Sequence, residues 1–131
     1  MLAGEMTAGF QFGVLVVADD EASEEMASWL SSEEQVTASH ASVVMRVLHQ
    51  QEGEVQVKVW HGRDSGSGVL VFAGMIDVPT GIVRISDVVM SQVLRVPVGK
   101  GCHRIEMYAN STVEASEISV LFDPTGPQFA D

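Results

Sequence analysis

Hydrophobic and polar residues alternate along most of this 131-residue chain, in short stretches separated by turn residues. The clearest example is residues 54–60, where three valines share one face of a strand and Gln56, Lys58 and Trp60 share the other. A period of two places alternate side chains on opposite faces, so this stretch predicts a half-buried β-strand. The pattern predicts about eight strands, over residues 10–17, 37–50, 54–60, 69–76, 82–85, 93–98, 102–110 and 117–122.

The spacing of these strands indicates how they are arranged. Residues 10–17 are apolar on nearly both faces, which predicts a strand at the centre of a sheet. The turn at Gly53 predicts a hairpin between the strands at 37–50 and 54–60, and the last two strands predict another hairpin. Because no βαβ units intervene, we predict an all-β fold, an antiparallel two-sheet β-sandwich.

One segment departs from the alternation, between Asp19 and Glu34. Its apolar residues recur at helical spacing and acidic side chains lie at its start, which predicts one short helix. Within it, Trp29 is expected to close one end of the core, because an indole buries a large area. We expect a single domain over residues 1–131, with residues 1–8 and 124–131 as loose termini.

The chain is strongly acidic, with 18 Asp and Glu against 7 Lys and Arg and a formal net charge of −11. Residues 1–45 contain eight acidic side chains and no Lys or Arg. Binding to nucleic acid or to anionic membranes is therefore disfavoured, since both depend on basic residues. An acidic surface instead attracts a basic protein partner, or serves only to keep the protein in solution.

The residue types that carry catalysis or bind metals are sparse. Cys102 and His103 are adjacent, so on a strand they point to opposite faces and cannot form a nucleophile–base pair. The spacings of the other histidines, His40, His49 and His61, match no zinc pattern. We therefore expect no enzyme activity, no metal and no cofactor. With no transmembrane run and no basic N-terminal segment, we expect a cytoplasmic protein.

Trp60 is unusual because it lies on the polar face of its strand. Exposed indoles are common anchors of protein interfaces, whereas a twist of the strand would pack Trp60 under the loop at 62–68. A second hypothesis, a small-molecule or carbohydrate site, combines Trp60 with His61 and Tyr108. The apolar run 69–76 would allow pairing across a homodimer if it lies at a sheet edge.

The order of these elements resembles the competence protein J family of small bacterial proteins over residues 9–124. The likeness is carried by Gln11-Phe12 with Val16 and Asp19, the Trp29 segment, the strands at 54–60 and 69–78, the Leu94-Arg95-Val96-Pro97-Val98-Gly99 turn and the closing strand 118–122. The resemblance implies an antiparallel β-sandwich and, for the family's namesake, inhibition of a DNA-degrading nuclease by direct binding. It assigns no functional residues in this chain.

We therefore predict a non-enzymatic acidic binding protein whose partner is a basic protein such as a nuclease. Nucleases bind polyanions through basic clefts, which an acidic inhibitor can occupy. The expected contacts are a group of carboxylates close together in the sequence, with Trp60 as a hydrophobic anchor. These carboxylates are Asp19, Asp20, Glu21, Glu24 and Glu25.

Overall fold

The computed structural model of the protein describes residues 2–10, 13–21, 36–38, 42–62, 68–87, 93–111 and 115–123. Within these ranges it contains ten β-strands and no α-helix, which confirms the all-β prediction. The strands are β1 (Leu2–Ala8), β2 (Val14–Asp19), β3 (Val36–Ala38), β4 (Ser42–Arg46), β5 (Val55–His61), β6 (Val69–Val78), β7 (Ile82–Ser86), β8 (Val93–Pro97), β9 (Gly101–Ala109) and β10 (Glu117–Phe122).

The strands form two sheets of five strands each. The first sheet has the order β1-β5-β10-β9-β6, and the second has the order β3-β4-β2-β7-β8. Every neighbouring pair is antiparallel except β5 and β10, which run parallel. Buried residues of both sheets form one hydrophobic core. The predicted two-sheet sandwich is thus confirmed, with one parallel pair that the sequence pattern did not indicate.

Alternating apolar residues build the core between the sheets. The three valines of β5 are fully buried, and Phe10 fills space beside them. As predicted, the apolar strand that includes residues 14–17 lies at the centre of a sheet, and β2 is buried on both faces. On its outer face, Val14, Val16 and Ala18 form a small separate cluster with Val44 of β4.

The predicted hairpin between residues 37–50 and 54–60 is wrong. The first of these stretches contains β3 and β4, which pair with each other in the second sheet, whereas β5 belongs to the first sheet. The connection between β4 and β5 therefore crosses the sandwich. The N–H of Val47 donates to Gly13 O beside β2, and the N–H of Leu48 donates to Ala115 O before β10. The hairpin of β9 and β10 is confirmed.

The prediction of a loose N-terminus is wrong for residues 2–8, which form β1. This strand pairs with β5, with Glu5 opposite Lys58. A side chain at Gly4 would contact Leu94 and Val96 of β8, so β1 also packs against the second sheet. The predicted helix beyond Glu21, including Trp29, and the tail 124–131 lie outside the described residues.

Candidate functional site

The first two candidate carboxylates lie at the C-terminal end of β2. Asp19 is only 2% exposed, and its carboxylate accepts three hydrogen bonds. The Thr80 N–H donates to Oδ1 at 2.9 Å, the Thr80 hydroxyl donates to the same oxygen at 2.7 Å, and the Glu21 N–H donates to Oδ2 at 3.0 Å. Asp19 therefore fastens the turn between β6 and β7 to the end of β2.

The environment of Asp19 favours its charged form. Burial alone would raise the pKa of Asp19, but hydrogen bonds from Thr80 and Glu21 and the positive charge of Arg84 hold that pKa below its ordinary value of 3.8. A buried carboxylate whose oxygens accept hydrogen bonds from its own chain has little left to offer a partner. Asp19 is therefore not part of the exposed acidic surface, contrary to the grouping expected from the sequence.

Asp20 is closer to the surface but has a basic neighbour. Its Oδ1 accepts a hydrogen bond from Arg95 Nε at 2.9 Å, and its backbone carbonyl accepts one from Arg84 Nη1 at 2.9 Å. The charge of Asp20 is thus partly compensated, while Glu21 is exposed. Glu24 and Glu25 lie outside the described residues. Of the five candidate carboxylates, Glu21 is the one that the structure places fully at the surface.

Trp60 lies on the outer face of the first sheet, as the alternation in β5 predicts. Its side chain is half-buried, and its Nε1 is buried without a hydrogen-bond partner in the described part of the chain. Leu121 of β10 lies next to Trp60 in register, and Glu106 of β9 follows in the same row. Trp60 is thus partly covered, and the row of side chains that contains it includes one apolar neighbour, Leu121, and the acidic Glu106.

On β9, Glu106 belongs to a group of polar side chains on the outer face. Glu106 is only 5% exposed, and it accepts hydrogen bonds from Tyr108 Oη at 2.9 Å and from Arg104 Nη2 at 3.4 Å. Tyr108 therefore shares an outer face with Trp60, whereas His61 follows Trp60 directly and, by alternation, points to the other face. The geometry does not bring together the three residues of the small-molecule hypothesis.

His103 forms a buried cluster that the sequence predicted only in part. It lies on the inner face of β9, 8% exposed, at the edge of the core as expected. Its Nδ1 is 2.6 Å from Asp123 Oδ2 and its Nε2 is 2.7 Å from Gly99 O. A carboxylate and a carbonyl only accept hydrogen bonds, so these contacts favour the doubly protonated ring, in which both nitrogens donate.

The protonation of His103 follows from these contacts. Burial alone would lower the pKa of His103, but the hydrogen bonds to Asp123 and Gly99 O and the negative charge of Asp123 raise it above its ordinary value of 6.5. The cluster joins the connection between β8 and β9 to the end of β10. Sequence reasoning missed Asp123 because 20 residues separate it from His103.

The described ranges offer few residues for a metal site or a catalytic site. No group of three or more His, Cys, Asp and Glu side chains comes together there as a metal would require. Cys102 is exposed while His103 is buried, which matches the prediction that they point to opposite faces. No helix in the described part is long and apolar enough to cross a membrane.

Comparisons with known proteins bear on the fold. No protein-family model and no curated protein sequence matches the chain. Solved structures similar to it include ComJ from Bacillus subtilis, an inhibitor of the DNA-degrading activity of NucA, with a TM-score of 0.72, 11% identity, and coverage of 96% of this chain and 98% of ComJ. The protein of crocagin biosynthetic gene J is also similar, with a TM-score of 0.54, 15% identity and the same two coverages. At these identities the likeness is one of fold, and it supports the resemblance to the competence protein J family seen in the sequence.

Proposed function

We propose that this protein is a non-enzymatic inhibitor that binds a DNA-degrading nuclease in the cytoplasm. The observation that carries the proposal is the likeness to ComJ, which extends over 96% of this chain and 98% of that one. The likeness spans nearly the whole of both chains, so it is not confined to one shared sheet. ComJ, a protein of this fold, inhibits the DNA-degrading activity of NucA.

The charge of the chain supports a basic partner. A net charge of −11 on 131 residues produces a long-range field that attracts a nuclease cleft built to bind phosphates. Glu21 is exposed at the end of β2, and Glu24 and Glu25 follow it closely in the sequence. We assign the electrostatic part of the contact to these three residues, with Asp20 beside them. Trp60 is the hydrophobic anchor in this proposal, because its half-buried indole still presents surface.

The test is a DNA-degradation assay with purified NucA of Bacillus subtilis as the probe. The protein is titrated into the nuclease, and the loss of intact plasmid is followed at low and high salt. We expect inhibition that saturates at a fixed molar ratio and weakens as salt screens the charges over about 8 Å. The protein alone is expected to leave DNA intact.

Two matched variants distinguish inhibition that needs specific carboxylates from inhibition that depends only on net charge. The test variant changes Glu21, Glu24 and Glu25 to Gln. The control changes the exposed residues Glu52, Glu54 and Glu117 to Gln, beside the β4–β5 connection at the other end of the sandwich. Both variants lose three negative charges. We expect only the first to weaken inhibition by about tenfold or more. Equal effects would refute the local contact, and no inhibition by the unmodified protein would refute the proposed function for this nuclease.

A further inference from the structure

β6 lies at an edge of the first sheet, paired on one side with β9. It is ten residues long and Asp77 is its one charged residue. Three of its large apolar side chains are about half exposed, namely Val69, Leu70 and Met75. A long apolar edge strand presents unpaired backbone groups that can bond another strand. The other edge strand, β1, has a single large exposed apolar side chain, Leu2.

Alternation along β9 identifies which backbone groups of β6 face the open edge. Arg104 O accepts a hydrogen bond from the Asp123 N–H on the β10 side. Even-numbered residues of β9 therefore face β10, and odd-numbered residues such as His103, which is opposite Ile76, face β6. The backbone groups of the intervening residues of β6 point away from β9. These residues are Ala73, Met75 and Asp77, and all three are exposed.

Most of this edge lacks the features that keep edge strands unpaired. Proteins usually protect an exposed edge with lysine, proline, a β-bulge or a very short strand. β6 has one irregularity, between Leu70 and Phe72, and residues 72–78 then pair with β9 in continuous register. That regular part contains no lysine and no proline. It is a regularly paired strand segment of seven residues with one charged side chain, Asp77.

From these features we infer that β6 pairs antiparallel with β6 of a second copy, which joins the first sheets of two protomers into one ten-stranded sheet. The low charge of β6 favours a second copy of this chain over a basic strand as the partner. A basic strand would find one carboxylate, Asp77, along ten residues, whereas a nearly uncharged apolar strand is matched throughout. A second copy supplies such a strand whenever the protein is present, and self-pairing closes with two-fold symmetry.

The net charge of each copy does not prevent this pairing. In an antiparallel pair centred on Met75, the two Asp77 residues lie four positions apart along the strands, roughly 13 Å at the usual rise. That distance exceeds the screening length of about 8 Å at physiological ionic strength. The remaining repulsion between two chains of charge −11 is also screened by salt. The dimer should therefore be stronger at high salt, the opposite of binding to a basic nuclease.

The test is sedimentation equilibrium of the full chain at about 0.05 M and 0.5 M NaCl. We expect a mass twice that of the 14.1 kDa chain, with tighter association at the higher salt. Met75→Lys places like charges close together at the pairing and should weaken dimerisation by roughly tenfold or more. Leu2→Lys is the control, since it makes the same charge change at an exposed apolar residue on the other edge strand.

A second variant tests backbone pairing itself. The Ala73 N–H faces the open edge, so Ala73→Pro removes a donor that the described strands of the protomer do not use. We expect Ala73→Pro to be a folded monomer by circular dichroism and sedimentation. A monomeric unmodified protein at both salts and up to about 200 µM would overturn the inference. So would a dimer that persists in both β6 variants, or one that is lost in Leu2→Lys alone.

Discussion

Asp19→Ala removes a carboxylate that was expected at a binding surface and that the structure places in a buried cluster. Hydrogen bonds to charged groups contribute about 1.5–3 kcal/mol each. The three bonds to Asp19 share one carboxylate near the surface, so their contributions do not add fully, and the Thr80 hydroxyl retains Ile82 O as an acceptor. We therefore expect the free energy of unfolding at pH 7 to fall by about 2–3 kcal/mol.

The pH dependence of this difference tests the same reasoning. The folded protein holds the pKa of Asp19 below its ordinary 3.8, so the unfolded chain binds a proton more readily. Asp19 thus contributes stability that is fully present above about pH 5 and is lost as the pH falls through the folded pKa. The stability difference between the unmodified protein and Asp19→Ala should be constant from neutral pH down to about pH 5 and shrink below it.

Urea denaturation monitored by circular dichroism, at several pH values, measures both effects. Glu54→Ala is the control, because Glu54 is an exposed carboxylate that precedes β5. We expect that control to change the free energy of unfolding by about 0.5 kcal/mol or less. A loss below about 0.5 kcal/mol in Asp19→Ala, or a loss that is as large at pH 3 as at pH 7, would refute the structural role of Asp19.

The His103–Asp123 pair and the Trp60 side chain lead to three further predictions. The pKa of His103 is raised, so its contribution to stability is present below about pH 6.5 and is lost as the pH rises through the folded pKa; the advantage of the unmodified protein over His103→Gln in urea denaturation should shrink in that direction. Asp123→Asn should lower the pKa of His103 in an NMR titration of the imidazole, and an unchanged value would exclude Asp123 as its cause. Trp60→Phe loses no hydrogen bond in the described part of the chain, so it should cost about 1 kcal/mol or less in stability while NucA dissociates roughly tenfold faster in surface plasmon resonance. An unchanged dissociation rate would remove Trp60 from the interface.

The face that each strand presents to the core could be predicted, but its neighbours could not. In β5 the alternation correctly places the valines inside and Trp60 outside. The pattern of period two contains no information about pairing, so the short connection after β4 suggested a hairpin where the chain crosses between sheets. The segment Leu2–Ala8 suggested a loose end because it has no branched aliphatic run. In the structure this segment is a strand because it pairs with the edge of β5.

In the candidate site, too, the sequence could not predict which residues the polar side chains contact. The sequence identifies Asp19 as one acid in an acidic run, and nothing local distinguishes it from Asp20 or Glu21. Its partner, Thr80, lies 61 residues away and meets it only when β6 turns into β7 beside β2. His103 was correctly expected at the edge of the core from its register with apolar neighbours, yet Asp123 comes close to it only through the pairing of β9 and β10.

Asp19 joins the end of β2 to the turn after β6, so Glu21 lies near one end of the apolar edge, but the two contacts depend on salt in opposite ways. Attraction between Glu21 and a basic nuclease is strongest when salt is low, whereas β6 pairs best when salt screens the charge of two copies. The two contacts also use different groups, carboxylates in one and backbone N–H and C=O groups in the other. If both exist, Met75→Lys should produce a monomer that still inhibits NucA. If that variant loses inhibition as well, the nuclease and the second copy use the same edge, and Glu21, Glu24 and Glu25 attract the nuclease without forming the final contact.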